Sequence, residues 1–233
     1  MKIALAGCIL ISLSLAALGQ QKHISIPLHR DGDTTFWYTW HSGNARKMGL
    51  VDLTASQKVF YWRFWTETEA VEIWTDDQNT FQGKLSVFTT RSIVGTNEKK
   101  DPLQGKFYFT SNPISSEKAG RIHTLIQTLG VLSIPTEDSI SDWQAGLDGI
   151  TYIVETSTPT TYSFKTYWTP EVYKESVREA AVIDTLAKQL NTLASMGVHF
   201  SKFVRTLPPG CYHAGGMMLW CSELNKRRTR RKR

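Results

Sequence analysis

Apolar and polar positions alternate most regularly between Lys58 and Thr110. Across residues 59–65, Phe60, Trp62 and Phe64 fall on one face, and Val59, Tyr61, Arg63 and Trp65 on the other. A period of two predicts a strand with one apolar and one mixed face. Residues 70–75 predict a second strand, with Val71 and Ile73 inward and Glu72 outward, after a turn at Glu67-Thr68-Glu69. Beyond a polar turn at 76–79, residues 83–92 alternate around Leu85 and Val87. A charged loop at 95–102 leads to a fourth strand over 106–110, with Phe107 and Phe109 inward. Four short strands with turn residues between them predict an antiparallel meander.

The period then lengthens. Ser115 or Ser116 can cap a helix in which Ile122, Leu125, Ile126 and Leu129 recur at helical spacing, with Gly130 near its end. Pro135, Glu137 and Asp138 introduce a short helical turn towards Trp143. Residues 150–155 and 161–167 predict a hairpin around Ser157-Thr158-Pro159. Thr169-Pro170-Glu171 suits a helix entry. Ser176 and Glu179 have capping-box spacing. Ile183, Leu186, Ala187, Leu190, Leu193 and Ala194 then form an apolar face, which Gly197 ends. Residues 198–206 are apolar enough for a last strand. Residues 20–54 carry Trp37, Tyr38 and Trp40 with little periodicity, and predict an extended arm or short strands. Strand runs broken by helices without regular alternation predict an α+β fold: an antiparallel β-sheet meander with two main α-helices packed on one face.

The N-terminus fixes the expected compartment. Lys2 precedes an uncharged run, residues 3–18, and Ala17-Leu18-Gly19 places small residues where a signal peptidase cuts. The run is shorter than the roughly 20 residues that span a bilayer as a helix. It reads as a signal peptide over 1–19, cleaved near Gln20, giving a periplasmic or secreted chain. Leu5-Ala6-Gly7-Cys8 has the form of a lipobox, but cleavage there would leave too short an export signal. Residues 20–206 are expected to form a single domain, and 207–233 a flexible cysteine loop and basic tail.

Net charge changes little about the domain. The chain is formally +6, yet Lys226, Arg227, Arg228, Arg230, Arg231, Lys232 and Arg233 supply seven of its cations. Without these and Lys2, 19 basic residues face 21 acidic ones. The tail reads either as a solvated extension or as a patch for an anionic surface, lipid or nucleic acid. Cys211 and Cys221 remain after export, and in an oxidising compartment they are expected to pair.

Candidate chemistry is sparse. Trp143, Asp148, Glu155, Lys165 and Trp168 surround a distinctive turn and hairpin, and could line a ligand site. Asp148 and Glu155 could act as the paired carboxylates of a hydrolase. Alternatively, Asp148 closes a turn, Glu155 and Lys165 form a cross-strand ion pair, and the tryptophans complete the core edge. The six histidines do not cluster, and no His-x-x-x-His pair lies on a helix, so no zinc motif is present. Asp31-Gly32-Asp33 lacks the later ligands of a calcium loop. No nucleophile elbow, Ser-x-x-Lys or phosphate-cradling glycine loop occurs, so no cofactor is implied. Tyr61, Arg63 and Trp65, with Trp74 beside them, form either an open aromatic face for a glycan or protein, or core beneath the N-terminal arm. The leading expectation is a non-enzymatic exported domain with a binding or structural role. The alternatives are the Asp148/Glu155 hydrolase and the anion-binding tail.

Overall fold

The computed structural model describes residues 21–28, 34–92, 103–144, 146, 148–213 and 219–221. The expected signal peptide, residues 1–19, and the basic tail, 226–233, lie outside them, as do Asp31 to Asp33 and the whole of the expected loop at 95–102.

The alternating segments become strands β2 (Phe60–Trp65), β3 (Glu69–Thr75), β4 (Gln82–Thr90) and β5 (Phe107–Ile114). They pair antiparallel in chain order. The hairpin β6 (Thr151–Ser157) and β7 (Thr161–Trp168) adds to the other side of β2. A short strand β1 (His23–Ser25) pairs parallel with β7. The sheet is therefore mixed and seven-stranded, in the order β1-β7-β6-β2-β3-β4-β5. The α+β class stands, but the sheet is not purely antiparallel.

Five α-helices occur among the described residues: α1 (Phe36–Lys47), α2 (Ser116–Thr128), α3 (Pro170–Tyr173), α4 (Arg178–Leu193) and α5 (Met196–Thr206). They cover both faces of the sheet, not one. Trp62, Phe64, Val71, Ile73 and Leu85 pack with Ala119, Ile122 and Ile126 of α2, and with Ile183, Leu186 and Leu190 of α4. On the other face, Tyr61, Trp65, Phe88, Ile153 and Phe164 pack beneath Ala45 of α1 and the segment carrying Met48, Leu50 and Leu53. Each buried aliphatic or aromatic side chain contributes about 1.5–3 kcal/mol of transfer free energy, so a sheet covered on both faces has two separate apolar drives.

Several local expectations change for physical reasons. The N-terminal arm is mainly a helix. Thr35 caps α1 by accepting the Tyr38 amide, and Arg46 and Lys47 lie at its C-terminal end, where cations favour the helix dipole. Its buried face mixes His41 and Asn44 with Ala45, while Phe36 is exposed, so no clean apolar stripe signals it. Residues 198–206 form α5, in which Met196, Phe200 and Phe203 fall at i, i+4 and i+7. A short apolar run fits both periods, and packing decides. Helix α4 ends before Ser195, which is left-handed at φ 54°, and not at Gly197. Its N-cap is Val177, so Ser176 and Glu179 form no capping box. Ser115 does cap α2, and Gly130, at φ 65°, terminates it. Phe109 lies exposed on the edge strand β5, where no helix covers it.

Cys211 and Cys221 are bonded, and lie directly opposite one another in the hairpin β8 (Cys211–His213) and β9 (Leu219–Cys221). This hairpin is part of the domain. Tyr212 is fully buried in the larger core, and the Ser92 amide donates to the Cys211 carbonyl at 2.8 Å.

Candidate functional site

Three central strands each carry a charge at or near their middle: Arg63 in β2, Glu72 in β3 and Glu155 in β6. Register brings them together. Arg63 stands opposite Glu72 on one side and Glu155 on the other, and Glu72 stands opposite Lys84 of β4. Side chains paired across a sheet share a face, so a row Lys84–Glu72–Arg63–Glu155 crosses four strands with alternating sign. All four lie on the face covered by α1.

The contacts are close. Arg63 donates to Glu72 Oε1 from Nε at 3.0 Å and from Nη2 at 2.8 Å. Its Nη1 donates to Glu155 Oε2 at 3.1 Å, and Nη2 also to the Val51 carbonyl at 2.8 Å. Lys84 Nζ lies 3.2 Å from Glu72 Oε2. Phenols and an indole complete the set. The Tyr61 hydroxyl donates to Glu72 at 2.8 Å, Tyr162 to Glu155 at 2.7 Å, and Trp65 Nε1 to Glu155 at 2.6 Å. Arg63 and Glu72 are buried. Burial alone would drive the guanidinium towards neutrality. The charges of Glu155 and Glu72 override it, so the Arg63 pKa is raised. Burial, and then the carboxylate each phenol touches, raises the Tyr61 and Tyr162 pKa values out of the physiological range.

Above the row, His41 of α1 sits among Trp37, Trp40 and Trp65, with ring centroids 6.1, 4.7 and 4.7 Å away. Its Nδ1 is buried without a hydrogen-bond partner. Burial first, and the Arg63 charge second, push its pKa down to about 3. The imidazole is therefore neutral at physiological pH.

Between α1, the 50–54 segment and the sheet lies a cleft of about 340 Å³. Arg63, Glu155 and Tyr162 form its floor, and Tyr38, Ser42 and Thr54 are among its walls. Lys22 braces this end of the fold, donating to the Leu53 and Ser56 carbonyls and to Ser157 Oγ at 2.9, 2.7 and 2.7 Å.

The residues singled out from the sequence do not form one site. Glu155 belongs to the buried row. Asp148 is exposed in the turn before β6. Glu155 lines the cleft beside α1 and Asp148 does not, so the two carboxylates do not converge on it. Lys165 lies on the opposite sheet face from Glu155, because its cross-strand partner is Val154. The Lys165 Nζ donates to the Leu132 and Ile134 carbonyls at 2.8 and 2.6 Å, and burial lowers its pKa. The proposed Glu155–Lys165 ion pair is therefore absent. Trp143 and Trp168 do meet. Trp143 Nε1 donates to the Trp168 carbonyl at 2.8 Å, and both rings pack near Tyr173. The Trp168 amide donates to the Glu137 carboxylate. These tryptophans close one end of the sheet.

Tyr61, Arg63 and Trp65 are core beneath α1, so they offer no open aromatic face. Glu72, expected outward, is fully buried. Sequence reasoning missed Glu72, His41 and Tyr162 as parts of one site. The available signal was a charge at or near the middle of each of three strands. Among the described residues, no group of three or more His, Cys, Asp or Glu side chains could hold a metal ion, and no helix is long and apolar enough to cross a membrane. The chain matches no known protein family, and no curated protein is similar to it.

Proposed function

We propose that this chain is an exported, non-catalytic binding module whose ligand enters the cleft between α1 and the sheet. The observation that carries this reading is the cleft floor. It is polar, buried and preorganised, a combination that fixes a ligand's orientation. Its carboxylates are already occupied. Both oxygens of Glu155 accept hydrogen bonds, from Tyr162, Trp65 and Arg63, and Glu72 is held by Tyr61, Arg63 and Lys84. Held in this way, neither carboxylate has the mobility that a general base or nucleophile uses, and Glu72 does not line the cleft. Arg63 makes four hydrogen bonds and has five donors, so one N–H remains for a ligand. The Cys211–Cys221 disulfide supports an oxidising compartment for the folded chain.

Native mass spectrometry of the full chain, incubated with a small-molecule extract, tests the assignment. Ser42→Trp fills the cleft from the wall and leaves every residue of the charge row in place. The expected result is a ligand mass on the wild type that the variant loses, with unchanged far-ultraviolet circular dichroism. An adduct retained by Ser42→Trp, or no adduct on either protein, overturns the reading. Turnover of a glycoside or ester panel by the wild type would make it an enzyme.

A further inference from the structure

We infer that the cleft takes an uncharged, polyhydroxylated ligand of one or two sugar rings, a conclusion that rests on the cleft being the binding site. The first argument is charge. The row alternates in sign, and the two members that line the cleft, Arg63 and Glu155, are an ion pair; Glu72 and Lys84 extend the alternation away from it. His41 adds no charge. Arg46 and Asp52 at the rim are of opposite sign. An anionic ligand would meet Arg63 with two carboxylates already in contact with it. A cationic one would meet Glu155 beside that guanidinium. Either would bring a net charge to a partly desolvated site already balanced, which is unfavourable unless the ion is itself paired.

The second argument is hydrogen-bond chemistry. Tyr38, Thr39, Ser42, Thr54 and Tyr162 all line the cleft, and each carries a hydroxyl; those of Tyr162 and Thr54 already donate, to Glu155 and Asp52, and offer a ligand acceptor sites only. A hydroxyl donates one hydrogen bond and accepts others. A wall of such groups matches a ligand whose own groups do the same, and a sugar is the commonest such molecule. Fixed donors alone would instead select carboxylates or phosphates. The Tyr38 ring is held edge-on to Phe164 at 5.3 Å, and supplies an apolar surface beside these hydroxyls, as do Ala45 and Leu50. The third argument is size. A volume of about 340 Å³ lies at the small end of ligand sites, which run to about 1,000 Å³. It admits a monosaccharide or disaccharide and excludes a long chain.

The test is isothermal titration of the full chain with glucose, galactose, mannose, maltose and cellobiose, alongside glucuronic acid and glucosamine as charged counterparts. At least one neutral sugar is expected to bind, with both charged counterparts at least about tenfold weaker. Ser42→Ala removes one wall hydroxyl, and is expected to weaken that sugar about five- to tenfold, the effect of one neutral hydrogen bond. Its melting temperature should match the wild type. The inference is overturned if a charged counterpart binds more tightly than its neutral form, or if no neutral sugar binds. In either case, a native adduct lost in Ser42→Trp would still support the cleft as the binding site. Loss of both results would remove that reading as well.

Discussion

His41 makes the fold sensitive to acid in a way one substitution isolates. In the native state its pKa falls to about 3, against 6.5 for the free side chain, because it is buried and faces Arg63. The folded protein thus resists taking up the proton that the unfolded chain binds readily. The resulting sign is definite. Between pH 6.5 and about 3 the unfolded state carries more protons, so stability falls as pH falls through that window. At roughly 1.4 kcal/mol per pH unit, the full window corresponds to about 4–5 kcal/mol. Glu69 opposes it in part. Burial raises that carboxyl to about 7, so its contribution is greatest below pH 4.5 and is lost as pH rises through 7. Wild-type stability alone therefore mixes the two, and a comparison with His41→Leu separates them. Leucine is close in volume and removes the unpartnered Nδ1, so the variant should lie within about 2 kcal/mol of wild type at pH 7.5. Urea denaturation of both proteins at steps from pH 7.5 to 4 measures the difference. The variant is expected to gain on the wild type by about 3 kcal/mol across that range. Parallel midpoints at every pH would refute the reasoning, as would an imidazole that titrates near 6.5 by NMR in the folded protein.

Two further predictions follow from particular contacts. Arg63→Met leaves Glu72 and Glu155 buried without their shared cation, and should destabilise the fold by about 3–5 kcal/mol in urea. Adding Glu155→Gln should recover part of that loss, and no recovery would mean that packing, not charge, dominates at Arg63. The paired variant Cys211→Ser/Cys221→Ser opens a short loop, and should cost about 2.5–3 kcal/mol in the chain-entropy model. Denaturation with and without reductant checks it. A reduced protein as stable as the oxidised one would show that the buried Tyr212 and the hydrogen bonds to Cys211 and His213 hold the hairpin without the disulfide.

The strands show how far pattern reaches. Tyr61 and Trp62 go to opposite cores because successive strand residues face opposite ways, and the alternation already said so. Glu72 obeyed the same alternation but not the inference drawn from it. A polar residue opposite an apolar face was taken as exposed, and α1 covers that face. The prediction failed at the layer outside the strand, where sequence periodicity carries no information. Helix α1 itself was invisible for a related reason. Two of its three buried residues, His41 and Asn44, are polar, and the aromatic Phe36 is exposed, which leaves no clean apolar stripe at helical spacing. Helix α5 was misread as a strand because nine residues fit both periods.

By itself, the sequence determined the β2 to β7 strands, the inward residues of β2 and β4, a helix cap at Ser115 or Ser116, the hairpin around Ser157-Thr158-Pro159 and the pairing partner of Cys211. Each depends on residues close in the chain, or on a local rule of backbone sterics and solvation that holds wherever the segment is placed. The tertiary structure alone decided that Arg63 lies between Glu72 and Glu155, and that Asp148 and Lys165 do not join them. Those outcomes depend on which strands become neighbours and in which register. A one-residue slip would turn Arg63 to the other face and break the row. Local preference cannot encode that choice. It is settled when two apolar faces and the three buried charges Glu72, Arg63 and Glu155 pack together.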